Sequence, residues 1–292
     1  MDNGSNLKRV ALGWWSKSYI IDYIICIIMI ILAIIFGLVV DPFKMELPGG
    51  ATNPTVGYSY KKSTVPSVAA GVIAFGIPIL IFVVWQVPQV VFFRKQYKSK
   101  SYNTAGNGLR ELLFELHSAL LGLLFSGSIM IFIVTCYKSF AGRYRPNYFA
   151  LVAAGEDELD GRRSFPSGHS ATSFAGLFYL SLWLAGKLRL FHPSKSGETW
   201  KILVCFAPAF CAFFIAITRT RDYYHNFSDI IAGSDLGIIA AIIGYFCVYP
   251  SLLSKKSGAP KPRKSVPAND ASNAGPDDGA YVAASENSPF VV

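Results

Sequence analysis

Residues 19–40 read YIIDYIICIIMIILAIIFGLVV, twenty-two positions with one charge, Asp22. A helix rises about 1.5 Å per residue, so about 20 apolar residues cross the roughly 30 Å of a bilayer's hydrocarbon. The stretch predicts a membrane span. It is too long for the apolar region of a cleaved leader, and no small-residue cleavage site follows it. Five further stretches have the same character, at 66–93, 113–137, 170–186, 201–218 and 229–252. The one at 170–186 is the most dilute, carrying Ser170, Thr172, Ser173 and Ser181. Hydroxyls of that kind are satisfied within a helix or across a helix interface. The expected fold is all-α, a six-transmembrane-helix bundle. Composition agrees: charged residues make up 15% of the chain, against about 25% in a soluble domain.

Three regions follow: a cytoplasmic N-terminus over 1–18, a six-span domain over 19–252, and a tail over 253–292. The tail is rich in Lys, Pro, Ser, Ala, Asn and Gly and reads as disordered. The net charge of +9 does not point to nucleic acid, because the basic residues fall between apolar stretches rather than clustering on a soluble surface. The five cysteines, Cys26, Cys136, Cys205, Cys211 and Cys247, form no CxxC pair, which argues against a disulfide scaffold or a zinc site. Placing both termini in the cytoplasm puts 17 Lys and Arg inside and 10 outside, the favoured sense of the positive-inside rule.

The outside connections carry the unusual chemistry. After the third span comes KSFAGRYRPNYF, in which Lys138 and Arg145 are seven residues apart. On a continuing helix that is two turns, with both cations on one face. Pro146 would then end the helix. Before the fourth span comes SFPSGHS, where Ser167 and Gly168 precede His169. A Ser-Gly pair at a helix mouth exposes N–H groups that favour an anion. Before the sixth span comes TRTRDYYHNFSD, with Arg219, His225 and Asp229. Helical i, i+4 spacing would set the Asp229 carboxylate one turn from the His225 imidazole. All three pieces adjoin span ends on the same non-cytoplasmic side. Together they make a site for a phosphate-like anion, with acid, base or nucleophilic chemistry.

These residues resemble the lipid phosphate phosphatases of the type-2 phosphatidic acid phosphatase superfamily, whose motifs run K-x6-R-P, P-S-G-H and S-R-x5-H-x3-D. Here they read Lys138 to Arg145-Pro146, Pro166-Ser167-Gly168-His169, and Thr218-Arg219 through His225 to Asp229. Thr218 in place of Ser is the one departure. The resemblance implies a membrane enzyme hydrolysing phosphate monoesters of lipids such as phosphatidate, lysophosphatidate, diacylglycerol pyrophosphate or sphingoid phosphates. It also implies His225 as nucleophile through a phosphohistidine, Asp229 as its orienting carboxylate, and His169 as acid and then base. Lys138, Arg145, Ser167, Gly168 and Arg219 would hold the phosphoryl oxygens. No metal or other cofactor is then called for, because protein cations supply the positive charge. The partners implied are the bilayer and its lipid phosphates, in a plasma or internal membrane; the motifs are silent on oligomeric state.

Other features take plainer readings. His117 and His192 read as structural, and the acidic run Glu156, Asp157, Glu158 and Asp160 as a solvated loop without calcium-loop spacing. Asp235 points some 240° round the helix from Asp229 and so away from the site. The competing functions are a headgroup phosphotransferase, a phosphatase for a soluble phosphate, and an inactive or receptor-like relative.

Overall fold

A computed structural model describes residues 17–97, 103–191, 198–254 and 256–261. Helix α1 is Ser18–Val39. Helix α2 covers 67–97, with a wide turn at Val72–Gly76. Helix α3 is Asn103–Ala141, and the short helices α4 (Tyr148–Ala153) and α5 (Glu158–Gly161) follow it. Helix α6 covers 168–187, with a wide turn at Phe174–Phe178. Helices α7 (Thr199–Arg221) and α8 (Phe227–Val248) complete the bundle. There is no strand among the described residues.

Among the described residues, five helices are long and apolar enough to cross a membrane, in α1, α2, α3, α7 and α8. Their outward faces are what a bilayer accepts: Ile20, Ile21, Ile24, Phe210, Phe213 and Phe214 are all exposed. So much contiguous apolar surface has no place in water. Helix α1 touches the bundle through Tyr19, Cys26 and Ala33, spaced two turns apart along one stripe that lies on α3.

Helix α6, the expected fourth span, is not among the five. Its position explains its composition. It runs through the middle of the bundle against α3, α7 and α8, and nearly all of its residues from Ser170 to Lys187 are buried. A helix surrounded by protein faces no lipid and can carry serines. Ser181 Oγ accepts from the Ala209 N–H at 3.2 Å, and Ser173 and Ser170 are fully buried. Gly233 on α8 makes the approach possible, since a Cβ there would collide with the Ser167 carbonyl.

Order continues past residue 252. Ser257 Oγ donates to the Gly186 carbonyl at 3.3 Å, and Lys261 Nζ to the Phe246 carbonyl at 2.7 Å. The first residues of the expected tail thus close the far end of α6 and α8. The remainder of that tail, from 262, lies outside the described residues, as do His192 and positions 1–16.

Candidate active site

The last turn of α3, the first turns of α2 and α6, the end of α7 and the turn before α8 meet at one end of the bundle around a cavity of about 520 Å³. Lys138, Arg145, Gly168, His169, Arg219 and His225 all line it. These residues, up to 87 positions apart along the chain, therefore face one space.

Lys138 sits in the last turn of α3, with its ammonium 3.3 Å from where a Cβ on Gly168 would lie. Arg145 is not on that helix. Gly142, at φ +56°, turns the chain after Ala141, four residues before Pro146. A side chain there would be strained and would strike the Phe43 carbonyl, so glycine is required. Arg145 reaches the cavity from the following extended stretch, where Asp160 holds it: Nη2 donates to Oδ1 at 2.7 Å and Nε to the main-chain oxygen at 2.9 Å. Asp160 thus lines the cavity while its side chain stays half exposed, and the run before it, Glu156 to Glu158, is solvated as expected. Its neighbours Asp157 and Glu156 cap α5 and accept from Tyr60 Oη.

Ser167 is the N-cap of α6, and its hydroxyl accepts from Ser170 N and Ser170 Oγ. It is fully buried and does not line the cavity. The anion-favouring feature is the helix mouth itself, with Gly168 on the cavity wall. Thr218 spends its hydroxyl on the Ile215 carbonyl at 2.7 Å, one turn back. The Thr-for-Ser departure consequently touches nothing in the site. Asp235 is exposed and remote from the cavity.

His225 and Asp229 are adjacent, but not by helical spacing. Asn226 is the N-cap of α8, and Asp229, its third helical residue, accepts from Asn226 N at 3.0 Å in a capping box. His225 precedes the cap, and its Nδ1 stands 3.8 Å from Asp229 Oδ2. Burial first, and then the nearby cations Arg145, Lys138 and Arg219, lower the His225 pKa to about 3, against the opposing pull of Asp229. The imidazole is neutral at physiological pH. With Nδ1 turned toward Asp229, Nε2 is the nitrogen left for the cavity.

Sequence reasoning missed two sets of residues. Behind His225, Arg143 Nη1 donates to Asp229 Oδ1 and to Ser228 Oγ, each at 2.7 Å, and Ser164 Oγ donates to Asp229 Oδ2 at 2.6 Å. Arg143 carried a signal, as a third cation inside the K-x6-R stretch. The second set is a strap, residues 58–66 between α1 and α2. His169 Nε2 lies 3.0 Å from the Val65 carbonyl, Arg219 Nη1 donates to Ser63 Oγ at 2.5 Å, and Thr64 binds Asp222 through N and Oγ1, each at 2.7 Å. A carbonyl only accepts, so His169 carries its proton on Nε2 and presents Nδ1 elsewhere. Both guanidinium groups, of Arg219 and Arg145, lie against the Tyr224 ring, with ring-to-Cζ distances of 4.4 and 5.2 Å. Among the described residues, no group of three His, Cys, Asp or Glu side chains could hold a metal ion.

Residues 117–252 match the PAP2 superfamily. A PA-phosphatase related-family protein of Dictyostelium discoideum is 36% identical over 257 residues, 86% of this chain and 87% of that one. Lipid phosphate phosphatase 1 of Arabidopsis thaliana is 30% identical over 82% of this chain and 71% of its own length. Diacylglycerol pyrophosphate phosphatase 1 of Saccharomyces cerevisiae is 37% identical over 49% of this chain and 56% of its own. No solved structure matches. With that identity sustained along most of both chains, the protein belongs to the type-2 phosphatidic acid phosphatase superfamily, as a membrane lipid phosphate phosphatase.

Proposed function

We propose that the chain hydrolyses phosphate monoesters of bilayer lipids, phosphatidate, lysophosphatidate, diacylglycerol pyrophosphate or sphingoid phosphates, through a phosphohistidine and without magnesium. The observation that carries this reading is the placement of two histidines on one cavity wall with three cations, one histidine neutral and backed by a carboxylate. His225 Nε2 attacks phosphorus, the N–P bond forms, and the bond to the lipid oxygen breaks. Burial first, and then Arg219 and the other cations, lower the His169 pKa to about 4. The negative charge of a bound phosphate opposes those cations, so that His169 takes a second proton on Nδ1 while Nε2–H stays on the Val65 carbonyl. His169 gives that proton to the leaving alkoxide. It then takes one from the water that cleaves the N–P bond. Lys138, Arg145, Arg219 and the N-terminus of α6 hold the phosphoryl oxygens, whose charge redistributes in the transition state. Ser167 serves by capping that helix.

In this reading α6, at 170–186, is the fourth of six crossings, and both termini are cytoplasmic. The cavity then opens on the non-cytoplasmic face at headgroup depth, where a lipid presents its phosphate without leaving the bilayer. The test is rapid quench of purified protein with labelled phosphatidate into alkaline detergent, where an N–P bond survives, followed by acid treatment of the labelled protein. Acid-labile phosphate should appear on the parent and be absent from His225→Ala. Steady hydrolysis with no labelled protein would overturn the covalent route.

A further inference from the structure

The contact between His225 and Asp229 is too long to be direct. At 3.8 Å, Nδ1 and Oδ2 are beyond hydrogen-bond reach. Ser164 fills the interval. Its hydroxyl is 2.6 Å from Asp229 Oδ2 and 3.4 Å from His225 Nδ1, and the residue is fully buried. A hydroxyl has one proton and two lone pairs. The other acceptor within reach of that proton, the Tyr224 carbonyl, is 3.4 Å away and uncharged, so the carboxylate takes it. The lone pairs are left to face Nδ1. Asp229 is otherwise fully engaged: Oδ2 also accepts from Asn226 N, and Oδ1 from Arg143. Ser164 itself is fixed in place, because its N–H donates to the Arg143 carbonyl at 3.0 Å.

We propose that Ser164 is a positioning residue of the phosphoryl transfer, accepting from His225 Nδ1–H and donating to Asp229 Oδ2. The carboxylate then acts on the nucleophile through a hydroxyl. This inference rests on the phosphohistidine reading above. Its chemistry is electrostatic and moves no proton. For Nε2 to attack with its lone pair, the ring proton must sit on Nδ1, and the Ser164 oxygen is the acceptor that selects that tautomer. As the N–P bond forms, the ring becomes cationic and Nδ1–H more acidic. The hydroxyl, already polarised by Asp229, then accepts more strongly, and the 3.4 Å contact shortens. Ser164 does not line the cavity, so it has no part in holding substrate.

The test is a double-mutant cycle read by rapid quench with p-nitrophenyl phosphate. Ser164→Ala should slow phosphoenzyme formation about tenfold to a hundredfold, by analogy with the partners that orient metal-binding histidines, with KM within about twofold of the parent. In an Asp229→Asn background the same substitution should change the rate less than about threefold, because groups that act as a unit are non-additive. Ser164→Thr, which keeps the hydroxyl, should recover most of the rate. Ser164→Cys, close in volume with a weak donor, should stay slow, which separates the relay from a packing defect. Phosphoenzyme forming in Ser164→Ala at the parent's rate would overturn the relay alone. So would an equal loss in both backgrounds. Absence of acid-labile phosphate from the parent would overturn the phosphohistidine reading along with it.

Discussion

His169 and His225 share a cavity but lean on different oxygens, a main-chain carbonyl in one case and a serine and carboxylate in the other. They should therefore fail differently. On the proposed route His225→Ala would lose the nucleophile and should yield no phosphoenzyme with any substrate. His169→Ala should be rescued substantially in its phosphorylation step by p-nitrophenyl phosphate, whose leaving group needs little protonation. Labelled enzyme should then accumulate, since water lacks its base. Rapid quench of both variants with both substrates checks this, and label persisting in His225→Ala would reverse the roles. Acid should expose His225 in another way. Its pKa falls from the ordinary 6.5 to about 3 on folding, so between those values the unfolded chain binds a proton that the folded chain refuses. Its contribution leaves stability untouched above pH 6.5 and lowers it progressively as pH falls through that window. Thermal unfolding in detergent should fall less steeply from pH 6.5 to 4.5 in His225→Gln than in the parent.

At the scale of elements, the sequence was most legible where chemistry and helix ends coincide. Ser167 at the mouth of α6 and the long apolar runs were both visible, because each depends only on neighbours within a turn or a span. Two geometric readings failed for lack of tertiary information. Lys138 and Arg145 share no helix, because Gly142 turns the chain between them; seven-residue spacing cannot reveal a left-handed residue in its midst. His225 and Asp229 share none either, because the capping box starts α8 after the histidine. The strap was illegible in principle, since the Val65 contribution is a carbonyl that every residue possesses. Ser164 and Asp160 were hidden for a related reason: their roles lie in what they touch across the fold. Gly142→Ala should show the weight of that turn. It forces about 1–3 kcal/mol of backbone strain, with a collision against Phe43 added. The unfolding temperature should drop by several degrees and kcat at least tenfold, because Arg143 and Arg145 both follow it. A variant as active and stable as the parent would refute that role.

For the molecule as a whole, the mechanism requires one orientation and one source of positive charge. Glu46, between α1 and α2, and Leu253, beyond α8, are both exposed and belong to opposite ends of the bundle. In sealed vesicles, cysteines placed there should react with an impermeant reagent from opposite sides, the Glu46 position from the non-cytoplasmic one. Labelling of both from the same side would break the topology. Hydrolysis should survive chelation with EDTA and be inhibited by vanadate, which adopts the five-coordinate shape of a phosphoryl group in transfer. Loss with EDTA and restoration by magnesium would contradict the role given to Lys138, Arg145 and Arg219.

The strap carries a consequence for where this enzyme begins. The region shared with the PAP2 superfamily starts at residue 117, yet His169 rests on an oxygen at 65 and Arg219 on a hydroxyl at 63. Helices α1 and α2 are therefore more than anchors, since the connection between them is one wall of the reaction chamber. A chain cut down to the shared region would keep every signature residue and still lack the group that sets which nitrogen of His169 bears its proton. Recognition by motif and the walls of the cavity have different borders here, because the strap at 58–66 lies before the shared region.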